Sequence, residues 1–196
     1  NVWGSGGSHK IYFKKIDEIV IDIFNQDIKS QPKGIADMGC GDGAFLEHLY
    51  FLVKKNTLRG EYLDSHPLEI VGADFNQDAI DVSKNNLDKN NIKNKIIFGN
   101  INDPSSFAKD LKKKFNLNLS NFLSVRSFLD HNRIFEPIKP FNLSRMIPES
   151  TGAYSHRGKL IKSNEITFNL IKHFKNWQPY ISQFGLIILE LHTIAP

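Results

Sequence analysis

Cysteine is almost missing from this sequence: Cys40 stands alone among 196 residues. One thiol builds neither a disulfide framework nor a zinc cluster, so the expected setting is reducing and cytoplasmic. Long hydrophobic runs are also missing. None approaches the ~20 residues of a membrane-spanning helix, and no charged-then-apolar leader opens the chain, so no membrane role is expected. A strong charge of one sign is absent too. Basic residues outnumber acidic ones by 25 to 21, and the lysines are scattered through KNNLDKNNIKNK and KDLKKKF. They read as solvated helix faces, and without a basic-aromatic stripe nucleic acid is not an expected partner.

What is present suits one domain with a sizeable core. The opening NVWGSGGSHK lacks an initiating Met and contains GSGGS. Residues 1–9 therefore read as a linker-like or tag-like segment, left by expression or by excision from a longer chain, with the domain spanning 10–196. Apolar residues at Ile16, Ile19, Val20, Ile23 and Phe24 predict an amphipathic helix over 9–30. Strands are predicted at 34–38, 68–75, 95–100, 119–127 and 185–194. Helices are predicted at 44–55, 77–89 with Asn76 as cap, 103–114 with Pro104 in its first turn, and 163–177. Strands alternating with helices predict an α/β fold with a mostly parallel sheet and helices on both faces. Residues 131–162, with Pro137, Pro140, Pro148 and GAYSHRG, fit neither period and read as a long lid or substrate loop.

The first strand runs into IADMGCGDGAF. Ligands in such folds lie beyond the carboxyl ends of the strands. Gly39, Gly41 and Gly43 let the chain turn sharply against a ligand. The spacing is G-x-G-x-G, not the dinucleotide G-x-G-x-x-G, and Asp37 and Asp42 flank it. Carboxylates there repel a pyrophosphate and suit a ligand carrying an ammonium and a sulfonium. Cys40 reads as a small space-filler in the turn. Asp74 then ends the second strand, placed to accept ribose hydroxyls, with Phe75 after it. GNIND ends the third, offering Asn100, Ile101 and Asn102 to an adenine.

These three strand ends together resemble the class I S-adenosylmethionine (SAM)-dependent methyltransferases, over roughly 11–126 and the strand at Gly185. The resemblance implies a Rossmann-like fold. It assigns the methionine part of SAM to the Asp37 and glycine turn, the ribose to Asp74, and the adenine to residues 100–102. That family often carries Asp where Asn100 stands. It also usually has seven strands, so the last two appear missing here and a larger polypeptide with neighbouring domains is expected.

The acceptor side is less standard. The fourth strand ends in SVRSFLDHNR rather than the Asn/Asp-Pro-Pro-aromatic pattern of base and amide methyltransferases. Arg126 and Arg133 are candidates to hold a carboxylate or carbonyl. Asp130 and His131 are candidates for a base or hard-metal ligands. Glu190 and His192 in LELHTIAP alternate with Leu189 and Leu191, which places both polar residues on one face near the site. SVRSFLDHNR, GAYSHRGKLI and FGLIILELHTIAP narrow the resemblance to the metal-dependent C-methyltransferase domain of polyketide synthase loading modules. That implies methylation of a malonyl or β-ketoacyl thioester on an acyl carrier protein, aided by a mononuclear Fe or Mn. Candidate ligands are His131 and His192, with Asp130 or Glu190 as the oxygen donor. His156 and His173 read as loop and helix-surface histidines, and Tyr154 as a wall of the substrate tunnel. Two alternatives stay open. One is a metal-independent O- or N-methyltransferase with His131 as general base; the other is an inert SAM-fold module of a synthase.

Overall fold

The structure, a computed structural model, describes residues 10–130, 133–137 and 152–190. Helix α1 (Lys10–Phe13) passes through a 3-10 turn into α2 (Asp17–Phe24). The single helix predicted to residue 30 stops at Phe24, because Asp27 accepts a bond from the Lys29 amide at 2.9 Å and opens a separate 3-10 turn. Then follow β1 (Gly34–Met38), α3 (Ala44–Asn56), α4 (Leu58–Glu61), β2 (Glu69–Asp74), α5 (Gln77–Lys89), β3 (Asn94–Phe98), α6 (Pro104–Phe115) and β4 (Phe122–Ser127). A hairpin, β5 (Tyr154–His156) and β6 (Lys159–Ile161), precedes α7 (Ser163–Ile181) and β7 (Leu186–Leu189).

The main sheet has the order β3-β2-β1-β4-β7, and every pairing in it is parallel. Alternation along the strands divides the core. Ile35, Ile70, Ile96, Leu123 and Val125 face Phe24, Phe45, Leu49 and Leu87 of α2, α3 and α5. Ala36, Met38, Val71, Ala73, Ile97 and Phe122 face Phe107 and Leu111 of α6 and Trp177 of α7. The α/β prediction is thereby met, with a three-layer, Rossmann-like arrangement. Burying some thirty apolar side chains, at ~1.5–3 kcal/mol for each large one, is the main force holding the layers together.

Caps account for several boundaries. Asn76 accepts from the Asp78 amide, and Asp103 from the Ser106 amide. Helix α4 has no sequence signal, but its Arg59 is buried and bonds the carbonyls of His66, Pro67 and Lys33, closing the entrances to β1 and β2. Further boundaries also differ from the sequence reading. Residues 119–121 form a 3-10 turn, so β4 begins at Phe122. Helix α7 continues through Pro179 to Ile181. The predicted 131–162 loop contains a hairpin, because Arg157 and Gly158 both have positive φ, at 50° and 74°, which suits a two-residue turn. The rest of that loop call, at 131–132 and 138–151, lies outside the described residues. Among the described residues no helix is long and apolar enough to cross a membrane.

Candidate active site

A cleft opens where the carboxyl ends of the parallel strands meet. Its walls include Met38, Gly39, Asp74, Phe75, Asn100 and Ile101, with Leu129, Arg133 and Ile134 opposite. It encloses about 560 Å³ of empty space, counting the open mouth. This is the switch point of the sheet: β2 and β4 leave β1 in opposite directions.

The glycine turn is tied to β2 by main-chain groups. The amides of Gly39 and Cys40 both donate to the Ala73 carbonyl, at 2.7 and 3.0 Å. Gly39 has φ of 86°, and a Cβ there would meet a Leu129 methyl at 2.4 Å. Gly41 has φ of 54° with nothing within 4 Å of a built Cβ, so its face is open. Gly43 precedes α3, and Asp42 accepts from the Ala44 amide at 3.1 Å. Asp74 accepts from the Gly41 amide at 3.0 Å through one oxygen and from the Asn76 amide at 2.9 Å through the other. A carboxylate has about four acceptor positions, so lone pairs remain for hydroxyl donors.

Asp37 lies on β1 beneath this turn, 1% exposed, and neither carboxylate oxygen has a hydrogen-bond partner among the described residues. Burial pushes its carboxyl well above the usual range; Asp74 adds to this, Arg126 opposes it, and Asp42 adds further. Three acids around one turn suit a cationic ligand rather than a phosphate. A group with an ammonium, a sulfonium, a ribose and an adenine therefore fits these residues. Cys40 is buried as expected, and burial also pushes its thiol up. Phe75 is 63% exposed and packs against Phe98, with ring centroids 5.4 Å apart. The Asn100 side-chain oxygen accepts from the Asn102 amide at 2.9 Å, leaving its Nδ2 as a donor. Asn102 reaches across to the Ile134 carbonyl at 3.2 Å.

The acceptor side is ionic and partly buried. Arg126, 1% exposed on β4, has its Nε 2.8 Å from Asp130 Oδ2, close enough for an ion pair though poorly aligned for a hydrogen bond. Its Nη1 donates to His173 Nε2 at 3.0 Å. An arginine only donates, so that imidazole nitrogen must be the neutral acceptor. Burial first, and then the Arg126 and Arg133 charges, lower the His173 pKa to about 3. Burial also lowers Arg126 to about 10, against the opposing pull of Asp130. Arg133 Nε lies 3.6 Å from Asp130 Oδ1, and its Nη1 donates to Asn169 at 3.2 Å. Glu190 accepts from the Asp130 amide at 2.7 Å, joining the ends of β4 and β7.

Two readings change here. His173 is buried beside Arg126, not on a helix surface, because it lies one turn before the core residue Trp177. Arg126 faces an internal carboxylate and a helix rather than the cleft; of the two arginines, Arg133 lines it. The Asp130 oxygens face two guanidinium groups, and burial holds its carboxyl above the ordinary range despite them. Among the described residues no group of three or more His, Cys, Asp or Glu could hold a metal. The candidate ligands His131 and His192 lie outside the described residues. His156 packs against Phe135, and Tyr154, on β5, does not line the cleft.

Leu129, Ile134 and Trp177 are neighbours of the site that the sequence reading missed. Only Trp177 carried a signal, its position four residues after His173 on one helical face.

Comparison with known protein families matches residues 1–196 to the AprA MT2-like domain, a family of methyltransferases. No curated protein matches. Three similar solved structures are one described under conversion of a disulfide bond into a thioacetal group during echinomycin biosynthesis, the plantazolicin methyltransferase BpumL in complex with a triazolic desmethylPZN analog and SAH, and the PH0226 protein from Pyrococcus horikoshii OT3. Their identities are 16%, 18% and 15%, with TM-scores of 0.39, 0.38 and 0.37. The matches cover 61%, 63% and 65% of this chain and 37%, 38% and 45% of those chains, so this chain spans less than half of each.

Proposed function

The chain belongs to the AprA MT2-like methyltransferase domain family, and from that premise we propose that it methylates carbon in a malonyl or β-ketoacyl thioester carried on an acyl carrier protein. The observation that carries this reading is the position of Arg133. Arg133 lines the same cleft as Asp74 and Asn100.

When bound, SAM supplies an electrophilic methyl group on a sulfonium centre. The chain's own residues do the rest. The bare main chain of Gly39 and Gly41 would receive the amino-acid end, with Asp37 buried beneath that turn, while Asp74 would hold the ribose and Asn100 with Phe75 the adenine. Arg133 holds the acceptor's carbonyl oxygen as it gains enolate charge. The carbon between two carbonyls loses its proton to a base, for which His131 is the candidate. Holding both partners across one cleft supplies much of the rate by positioning. Carrier protein, neighbouring synthase domains and a cytoplasmic setting belong to this same proposal.

A second reading, O- or N-methylation of a small natural product without metal, draws support from the pairing of Asp130 with two arginines. The test is intact-mass detection of a 14 Da gain, about one methylene, on malonyl- and acetoacetyl-loaded carrier protein, with added Fe(II) and with chelator. Gain on either carrier supports C-methylation, and equal gain with chelator removes the metal. Gain on neither, with SAH still bound, favours small acceptors. Absence of SAH binding by folded protein would indicate an inert module.

A further inference from the structure

Helix α7 touches both halves of the site through one face. Trp177 Nε1 donates to the carbonyl of Ile101 at 2.9 Å, across 76 residues of chain. Ile101 lies in the loop after β3 and lines the cleft. One turn earlier on the same face, His173 accepts from Arg126, which in turn holds Asp130. The two rings are 6.5 Å apart, and the Arg126 guanidinium lies 5.5 Å from the Trp177 ring. Trp177 and His173 are 2% and 4% exposed, so neither reaches a ligand. A buried indole N–H needs an acceptor, and here that acceptor is a main-chain carbonyl of the loop that lines the cleft. A helix that only covered the sheet would not need an imidazole against a buried guanidinium.

We propose that Trp177 and His173 are positioning residues. Trp177 sets the adenine loop through Ile101, and His173 sets the acceptor-side carboxylate through Arg126, so one helix holds the two halves of the cleft in register. The inference rests on the cofactor assignment above. Buried polar groups of this kind hold only one arrangement well, because each donor left unpaired costs free energy.

Trp177→Phe keeps the apolar bulk and removes the N–H. It is expected to weaken SAH roughly 3- to 10-fold by calorimetry, the range a single hydrogen bond supplies. His173→Gln retains an acceptor and is expected to keep turnover. His173→Phe removes the acceptor and is expected to lower kcat for the acceptor while SAH affinity stays at the wild-type value. The sequence has two tryptophans, Trp3 and Trp177. In a Trp3→Phe protein, SAH is expected to shift the emission of Trp177, a signature that space-filling alone would not give. Should wild-type protein fail to bind SAH, the cofactor reading falls. Should wild-type bind while Trp177→Phe binds equally well, or the Trp177 emission stay unmoved at saturation, the positioning role falls. If His173→Phe does not fold, an equal loss of kcat in His173→Gln and His173→Leu would overturn the acceptor-side half.

Discussion

On the cofactor wall, main-chain groups make the contacts. Amides of Gly39, Cys40 and Gly41 bind the end of β2, and the glycines bring bare backbone to the cleft. On the acceptor wall, side chains make them: Arg126, Asp130, Arg133, His173 and Glu190 lock β4, β7 and α7 together. A backbone wall tolerates little variation in conformation but asks little of neighbouring side chains. A side-chain wall is the reverse. Each member is replaceable in principle, yet removing one leaves its partner charged in the interior.

That contrast can be broken most sharply at Arg126. Arg126→Ala leaves Asp130 without its closest cation, and a loss of about 3–5 kcal/mol is expected in denaturant unfolding. SAH affinity measured on the protein that remains folded should change little. Gly39→Ala attacks the other wall. The residue would hold φ near 86° and its Cβ would press on Leu129, so about 1–3 kcal/mol of stability is expected to go. Here calorimetry should also register a large loss of SAH binding, the reverse of the Arg126 result. Asp74→Asn is milder. It preserves shape but removes charge from two amide contacts, and SAH binding is expected to weaken about tenfold, the scale of one charge-assisted bond.

The smallest effects are the pH slopes, and those of Asp37 and His173 differ in sign. Asp37 has a raised carboxyl, so the folded state binds its proton more tightly than the unfolded state does. Its contribution is full below the ordinary value near 3.8 and is lost as pH rises through the folded value. His173 is lowered from 6.5 to about 3, so its contribution is present above pH 6.5 and is lost as pH falls toward 3. Thermal midpoints across pH should therefore show a high-pH decline that Asp37→Asn removes and a low-pH decline that His173→Gln removes. If both substitutions flatten the same limb, the assignment of slopes to these two residues is wrong.

The placement of the glycine-turn wall was the more legible in sequence for the same reason. Gly39, Gly41, Asp74 and Asn100 act through local geometry at strand ends, and strand ends can be read from period and turn residues. Ile101 was read as an adenine contact, but its carbonyl partner lies on α7, far along the chain. The acceptor wall depends on such long-range meetings. Arg126 and Asp130 stood out as a charged cluster, but nothing local revealed that His173 would face them, or that Asp130 would sit between two arginines. The fold was legible in its alternation of strands and helices. Its misses were places where one polar side chain outweighed the period, at Asp27, or where positive φ built a turn, at Arg157-Gly158.

The strand order also sets a timetable for synthesis. Strands β1 and β2 each pair with a strand that emerges soon after, Ile70 with Asn94 for example. Ser124 of β4 must wait for Leu186. A growing chain can thus assemble the glycine turn and its β2 support while the edge of β4 is still bare. Until α7 leaves the ribosome, Arg126 has neither His173 nor Trp177 beside it. A ribosome stalled just after β4 would therefore present an open apolar edge, and chaperone capture should be strongest in that interval.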